Sequence, residues 1–338
     1  MDIVLVGFGT VGQGVAEAIA KKNELLERTL GERVRIVGAF DSSSYSLNRS
    51  GLDPLELVRG KMVKGKLSKR LDGEIKDMLP KLEYDTLVEM TPTNIKNGQP
   101  GLGHIKAALN AGHDVITSNK GPLALKFREI SKLAQKNNAR LRFEASVGGA
   151  TPVINLASEL LVCENIYSIR GIMNGTCNFI LNRMETEGMQ FEPALREAQQ
   201  MGYAETDPSY DIDGIDSACK VAILANAIMG KDITVNDVAR TGIRGINLAA
   251  VNLAGQDKKV VRLIGEVTER GGEVSPRLIP MGHPLSIGGT LNTFSIQTDL
   301  AGEITVAGRG AGRAETSSAV MSDIYAVMRE RRALSHRT

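Results

Sequence analysis

The sequence has 338 residues, 42% apolar and 24% charged, with a net charge of +2, a prior for about two domains of ordinary globular composition. The balanced charge leaves no basic footprint for nucleic acid, no stretch reaches the ~18 apolar residues of a membrane span, and the N-terminus lacks the basic region and long apolar core of a secretory signal, so a cytoplasmic protein is expected. The three cysteines, Cys163, Cys177 and Cys219, have no CxxC spacing and read as reduced, buried thiols.

Residues 2–6 form a short apolar run ended by a glycine, the pattern of a buried strand. Val11, Val15, Ala18 and Ile19 follow at helical spacing, and the polar residues 21–33 read as an insert before the next strand. Further strands are expected at 34–40, 86–90 and 115–117, and a helix carries Ile105, Ala108 and Leu109 on one face before ending at Gly112. The charged stretch 55–81 reads as helix and loop. Near-continuous apolar strands alternating with helices imply a parallel sheet covered on both faces, so residues 1–140 are expected to form a doubly wound α/β domain. The pattern then changes. Residues 140–145 are strand-like, a strand follows at 169–173, helices at 192–201 and 216–229, and strands at 259–268, 276–281 and 292–306. Residues 141–306 therefore read as an α+β domain. A last helix runs from the glycine-rich residues 308–312 to about Met328, and the segment 307–338 is expected to pack back on the first domain.

Gly7-Phe8-Gly9-Thr10-Val11-Gly12 is a G-x-G-x-x-G run between a strand and a helix. The first glycine permits a tight turn, the second lets a pyrophosphate approach the backbone, the third lets helix and strand pack closely, and the helix N-terminus faces the phosphates. The competing reading is a structural glycine turn in an α/β domain that binds something else. Asp41 follows the second strand, where an acid accepts hydrogen bonds from the adenosine ribose hydroxyls and repels a 2′-phosphate, which favours NAD. Ser42, Ser43 and Ser44, with Arg49 or Lys61, leave NADP open, and Asp41 also suits a plain turn.

The segment 202–220 places Glu205, Asp207, Asp211, Asp213 and Asp216 close together. An EF-hand is excluded, because the D-x-D-x-D-G order with its terminal Glu is absent and Pro208 interrupts the run. Asp216 and Lys220 stand at i, i+4. On an exposed helix such a pair is worth only about 0.3–0.5 kcal/mol. The residues that follow, Val221 through Met229, are apolar on nearly every face, so the helix is expected to be buried and its first turn to line a cleft. A partly desolvated lysine held by a carboxylate is a proton donor in position. Lys120 follows a parallel strand at its carboxyl end, where ligands bind in open α/β sheets, the alternative being a solvated loop lysine. Asn174-Gly175-Thr176 lies between a strand and a helix, where free N–H groups suit a substrate carboxylate, the plainer reading being a helix N-cap by Thr176.

Together these segments resemble the homoserine dehydrogenases. The matches are residues 7–12, Ser118-Asn119-Lys120-Gly121-Pro122, 144–152, Asn174-Gly175-Thr176-Cys177-Asn178-Phe179-Ile180, 203–220 and 308–312, spanning nearly the whole chain in the family's order. The resemblance implies a Rossmann domain, a catalytic and dimerisation domain and a returning C-terminal helix, acting on aspartate semialdehyde and homoserine with NAD or NADP as a cytoplasmic homodimer. It implies that Lys220 is the acid/base lysine, that Asp216 orients it, and that Lys120 lies between cofactor and substrate. Glu205 and Asp211 match groups holding the ammonium and hydroxyl ends of the substrate, and Gly175, Thr176 and Tyr203 match its pocket. Thr91, Pro92, Ser118 and Gly310 match cofactor contacts beside the glycine run and Asp41. Glu144, Val147, Gly149 and Thr151 match a monovalent-cation site for Na+ or K+, which the sequence alone does not suggest.

Many relatives carry a C-terminal regulatory domain or a fused aspartokinase. This sequence ends about 26 residues after Gly312, so feedback inhibition through such a domain is not expected. Two other readings stay open: an aspartate dehydrogenase on the same scaffold, and a non-catalytic nucleotide sensor, which predicts decay at Lys120, Asp216 or Lys220.

Overall fold

The computed structural model describes residues 1–335. The chain divides into two compact units, residues 1–146 with the segment from Gly312 onward, and residues 147–311. The first unit contains strands β1 (Asp2–Val6), β2 (Arg35–Phe40), β3 (Ser44–Leu52), β4 (Lys69–Arg70), β5 (Thr86–Glu89), β6 (Asp114–Thr117) and β7 (Leu141–Arg142). They form one sheet in the order β4-β3-β2-β1-β5-β6-β7. β2, β1, β5, β6 and β7 pair in parallel, and β3 and β4 extend one edge antiparallel. Helices α1 (Thr10–Leu30), α2 (Pro54–Lys64), α3 (Ile75–Met78), α4 (Gly101–Asn110) and α5 (Lys120–Lys136) connect them. Both faces of the sheet are buried, as its apolar strands require. Ile3 and Leu5 of β1 enter one core and Val4 and Val6 the other, following the two-residue period of a strand. This is the expected doubly wound sheet. Its strand order reverses at β1, so the loop after β1 opens at a topological switch point.

One expectation is corrected in this unit, and one strand is added. The polar residues 21–33 are largely a continuation of α1 and not an insert. Lys, Glu, Leu and Arg are good helix formers, Leu26 reaches the core, and Gly31 closes the helix in the left-handed region with its N–H on the Glu27 carbonyl. The run after Asp41, assigned no element from the sequence, is a strand. β3 alternates only over Ser44-Tyr45-Ser46-Leu47 before turning polar, with Tyr45 and Leu47 packed on the core and Ser44 and Ser46 buried.

The second unit contains β8 (Ile166–Ile172), β9 (Ala239–Arg240), β10 (Lys259–Thr268), β11 (Gly271–Pro280), β12 (Leu291–Thr298) and β13 (Glu303–Arg309), in the order β13-β12-β8-β10-β11-β9. Its helices are α6 (Val153–Asn155), α7 (Gly175–Glu187), α8 (Phe191–Gln200), α9 (Ser209–Ile212), α10 (Ile215–Ala227) and α11 (Leu248–Gln256). Every residue of α10 from Asp216 to Asn226 is buried, as its all-round apolar sequence predicts. α10 lies on β10 and β11 where the sheet offers glycine: a Cβ at Gly265 or Gly272 would stand 2.8 or 2.5 Å from the Val221 side chain. The stretch 292–306, expected as one strand, is a hairpin. Its turn residues, Asp299 to Gly302, return the chain, with Gly302 at φ +71° accepting from the Thr298 N–H at 2.8 Å. β11 begins earlier than expected because the two-residue turn Glu269-Arg270 brings Gly271 opposite Thr268. Of the strand-like residues 140–145, only Leu141 and Arg142 pair, and Glu144–Ser146 is a 3-10 turn.

The last helix, α12 (Arg313–Ser335), belongs to the first unit. Val320, Ile324, Val327 and Met328 form a helical stripe in the same core as Val15, Ala16 and Ile19 of α1, and Arg313 pairs with Glu17 at 2.7 Å. Among the described residues no helix is long and apolar enough to cross a membrane.

Candidate active site

At the switch point Gly7 has φ +95°, and a Cβ there would lie 2.5 Å from the Met90 carbonyl carbon and oxygen. A Cβ at Gly12 would lie 2.5 Å from the Gly7 oxygen, whereas Gly9 faces open space with nothing within 4 Å. α1 starts from Gly9 with no side-chain cap and no acid in its first turn, so its N–H groups and positive dipole end are not neutralised from within. These residues fit a pyrophosphate. Thr10 is exposed and Val11 partly so, but the Phe8 ring is buried in the core and its N–H donates to the Phe40 carbonyl, so Phe8 serves the turn by packing.

Asp41 is buried after β2. Its Oδ1 accepts from the N–H groups of Ser43 and Ser44 at 2.8 and 2.6 Å, and its Oδ2 from the Ser44 hydroxyl at 2.8 Å and Lys61 Nζ at 2.6 Å. Burial pushes its carboxyl up, but the hydrogen bonds from Lys61, Ser43 and Ser44 outweigh burial and hold it below the usual carboxylate range. Arg49, the other cation named for a 2′-phosphate, pairs with Glu83 at the surface.

Glu89, which ends β5, is fully buried and gave no signal in the sequence, where it reads as one more strand residue. Its carboxylate accepts from the Thr91 N–H at 3.0 Å, from the Thr91 hydroxyl, and from the Thr117 hydroxyl at 2.9 Å. The Asn119 N–H donates to the Thr117 hydroxyl at 3.0 Å, and the Asn119 side chain donates to Thr91 Oγ1 at 3.2 Å. Asn119 also caps α5, so Lys120 occupies the first helical position. A lysine opposes the positive end of a helix, and its place there is not explained by helix stability. The Glu89 carboxylate thus sets the Thr91-Pro92 turn and the Ser118-Asn119-Lys120 turn together.

In the second unit Lys220 is 7% exposed. Its Nζ donates to Asp216 Oδ2 at 2.7 Å and to the Met173 carbonyl at 2.6 Å. Asp216 stands in the first turn of α10, where a carboxylate is favoured by the helix dipole. Asn174 donates to Asp211 Oδ1 at 2.6 Å and to Asp216 Oδ2 at 3.0 Å, joining the two acids. It also caps α7 by accepting from the Cys177 N–H at 2.9 Å, so the cap expected of Thr176 belongs to Asn174. Thr176 instead donates to the Tyr203 carbonyl at 2.7 Å, and the Tyr203 ring rests 5.0 Å from that of Phe179. Gln199 donates to the carbonyls of Glu205 and Thr206, fixing that loop, while the Glu205 residue stays exposed, outside the buried network. The i, i+4 pair at the head of an apolar helix is therefore a buried ion pair and not a surface one.

The comparisons with known proteins agree over nearly the whole chain. One family model, the homoserine dehydrogenase NAD binding domain, matches residues 7–144, and a second, homoserine dehydrogenase, matches residues 152–325. This chain belongs to the homoserine dehydrogenase family. It is 44% identical over 328 residues to the homoserine dehydrogenase of Methanocaldococcus jannaschii, covering 96% of this chain and 97% of that one. It is 39% identical over 333 residues to the NAD(+)-dependent homoserine dehydrogenase of Pseudomonas canavaninivorans, covering 95% and 94%. A solved structure described as a homoserine dehydrogenase of Archaeoglobus fulgidus superposes with a TM-score of 0.91 at 44% identity, over 97% of this chain and 99% of that one. A hyperthermophilic archaeal homoserine dehydrogenase in complex with NADPH gives 0.83 at 33% identity, over 96% of each chain.

As a homoserine dehydrogenase the chain is an NAD(P)-dependent oxidoreductase of amino-acid biosynthesis, and the aspartate dehydrogenase and sensor readings are not favoured. Of the residues matching the family's cation site, Val147 and Thr151 are buried, Gly149 has φ +56° with its backbone against Gly310, and Gly310 in turn abuts the Asn292 amide. The Thr151 hydroxyl is buried without a hydrogen-bond partner, an acceptor that suits a cation. Glu144 is buried in the first unit, its N–H on Asp323. Among the described residues no group of three or more His, Cys, Asp or Glu is placed to hold a metal ion. Of the cysteines, Cys177 and Cys219 are buried as expected and Cys163 is exposed, which corrects the sequence reading. Burial, reinforced by Asp211 and Asp216, pushes the Cys177 thiol well up. Iodoacetamide at neutral pH is therefore expected to label Cys163 in the native enzyme and to leave Cys177 and Cys219 unmodified, as peptide mass mapping would report.

Proposed function

We infer that Lys220 is the proton-transferring group in the reversible conversion of L-aspartate 4-semialdehyde to L-homoserine. The observation that carries this is the buried Nζ, 2.7 Å from Asp216 and 2.6 Å from the Met173 carbonyl, held by two acceptors with one hydrogen left to give. NAD(P)H, when bound, supplies the hydride. Lys220 gives a proton to the aldehyde oxygen in reduction and takes the hydroxyl proton in oxidation, with Asp216 orienting it. Lys120 polarises the carbonyl and damps the charge that develops on its oxygen. Glu205 and Asp211 hold the ammonium and hydroxyl ends, and Gly175, Thr176 and Tyr203 form the pocket, with the N–H groups at the head of α7 reading the carboxylate. Gly7, Gly9, Thr10, Val11, Gly12, Asp41, Thr91, Pro92, Ser118 and Gly310 serve the cofactor, with Phe8 packed beneath the loop, and Glu144, Val147, Gly149 and Thr151 serve a monovalent cation.

Residues 1–140 and the C-terminal segment 307–338 take the nucleotide, and residues 141–306 carry catalysis and dimerisation in a cytoplasmic homodimer. NAD is the favoured cofactor, since the Asp41 carboxylate occupies Lys61 and denies it to a 2′-phosphate. Asp41→Ala, which releases Lys61, is expected to raise the NADP-to-NAD ratio of kcat/KM by about tenfold or more. An unchanged ratio would remove Asp41 from the ribose end. Initial rates on homoserine, aspartate and malate with each cofactor, with and without potassium, test the assignment as a whole. Reduction of NAD or NADP by homoserine alone is expected, and turnover of aspartate in its place would overturn the substrate.

A further inference from the structure

We propose that Asn174 is a positioning residue for the reaction, locking the Asp216–Lys220 pair and tying it to Asp211 through both hydrogens of its side-chain amide. Asn174 is 5% exposed, just after β8. Its Oδ1 caps α7 through the Cys177 N–H. Capping uses only a side-chain oxygen, and Ser, Thr or Asp would serve as well. The amide hydrogens are therefore not explained by the cap, and both go to carboxylates, one to Asp211 Oδ1 and one to Asp216 Oδ2. Asp216 Oδ2 is also the oxygen that accepts from Lys220. Lys220 is thus held by one acceptor that Asn174 orients and by the carbonyl of Met173, the residue before it, which Asn292 also contacts at 3.3 Å.

Two acids sharing one amide, Asp216 buried and Asp211 partly so, repel each other, and a neutral group offering one N–H to each holds both in place without adding charge. Asp211 is thereby coupled to the lysine pair through the Asn174 side chain. A substrate hydroxyl held at Asp211 and the proton carrier then keep a fixed mutual position, the condition for efficient proton transfer. The inference rests on the roles of Lys220 and Asp211 given above.

Asn174→Asp keeps the volume and the capping oxygen and removes both donors. Asn174→Ser keeps a capping oxygen without charge, and Lys220→Ala reports on the underlying reading. The titratable groups around the amide are Cys177 on α7, Tyr210 and Asp211 on α9, Asp213 in the following turn, and Asp216 and Lys220 on α10. A further negative charge among them retains protons, so Asn174→Asp is expected to move the ascending limb of the pH–kcat profile for homoserine oxidation to higher pH. Both Asn174 variants are expected to lose about 10²-fold in kcat with the cofactor KM unchanged and a melting temperature within a few degrees of wild type. The proposal is overturned if either folded variant keeps the wild-type kcat while Lys220→Ala is inactive. It is equally overturned if kcat falls only in proportion to the folded fraction with the pH profile unmoved, which would leave Asn174 a cap alone. An active Lys220→Ala enzyme would instead overturn the lysine assignment. If Asn174→Asp does not fold, the uncharged Asn174→Ser decides the matter through kcat and KM.

Discussion

Lys220→Ala is expected to lower kcat for homoserine oxidation by about 10²–10⁴-fold, the range associated with loss of a positioned acid/base group. The cofactor KM should stay close to wild type, since the nucleotide residues lie on the glycine loop and Lys220 on α10. The size of the effect follows from burial: with Lys220 7% exposed, the proton carrier cannot be replaced at full rate by bulk solvent. The variant will also lose stability, because breaking a buried ion pair costs about 3–5 kcal/mol when one charge is left behind. Here Asp216 keeps its hydrogen bond from Asn174, which places the loss toward the lower end. A thermal melt alongside the kinetics separates the two effects. Lys220→Arg is not expected to restore activity, because a guanidinium holds its proton at every working pH. Near-wild-type turnover in Lys220→Ala would remove the lysine from the chemistry.

Gly7→Val is expected to abolish measurable cofactor binding and to destabilise the first unit by about 3–5 kcal/mol, combining strain at positive φ with overpacking. The cause is on the backbone. A Cβ at residue 7 would meet Met90 carbonyl atoms at 2.5 Å and the Thr91 nitrogen at 2.7 Å, none of them a flexible side-chain end. The turn would have to open, carrying Gly9 and the head of α1 away. Gly9→Ala is the informative companion. Its Cβ meets no protein atom within 4 Å, so the variant should melt like wild type yet bind NAD(P)H at least about tenfold more weakly. Fluorescence titration with NADH and a melting curve check both. Tight binding by Gly9→Ala would place the pyrophosphate elsewhere.

The parts of this molecule legible in its sequence are those where one physical pressure dominates. Ile3–Val6 of β1 and Val115-Ile116 of β6 are unbroken apolar runs because both faces of a parallel sheet are covered, and the G-x-G-x-x-G loop declares itself because only glycine clears Met90 and Thr91. The burial of Lys220 could be inferred because the helix behind it has no polar face. The features that escaped are polar or depend on distant partners. β3 is held as an antiparallel edge by pairing with β2, and its strand period lasts only from Ser44 to Leu47 before Asn48, Arg49, Ser50 and Gly51 end it. Helix propensity in residues 21–30 is hidden by their polarity, since α1 gives only Leu26 and, partly buried, Leu30 to the core there. Glu89 has no local signature, and the Asn174-Gly175-Thr176 turn gives none for the amide hydrogens of Asn174. Each matters through groups brought from elsewhere in its unit, Thr117 and Asn119 in one case and Asp211 and Asp216 in the other. The Asp41 carboxylate, read as facing a ribose, is also engaged by Lys61, twenty residues on. A contact of that range is set by the fold and leaves no mark in composition or spacing.

The most direct test of the central claim is a single-turnover experiment, with enzyme in excess over homoserine and saturating oxidised cofactor, following NAD(P)H formation in wild type and Lys220→Ala. The buried lysine predicts a fast exponential in wild type and one slowed at least about 10²-fold in the variant, at equal cofactor affinity. Equal rates in the two enzymes would contradict it.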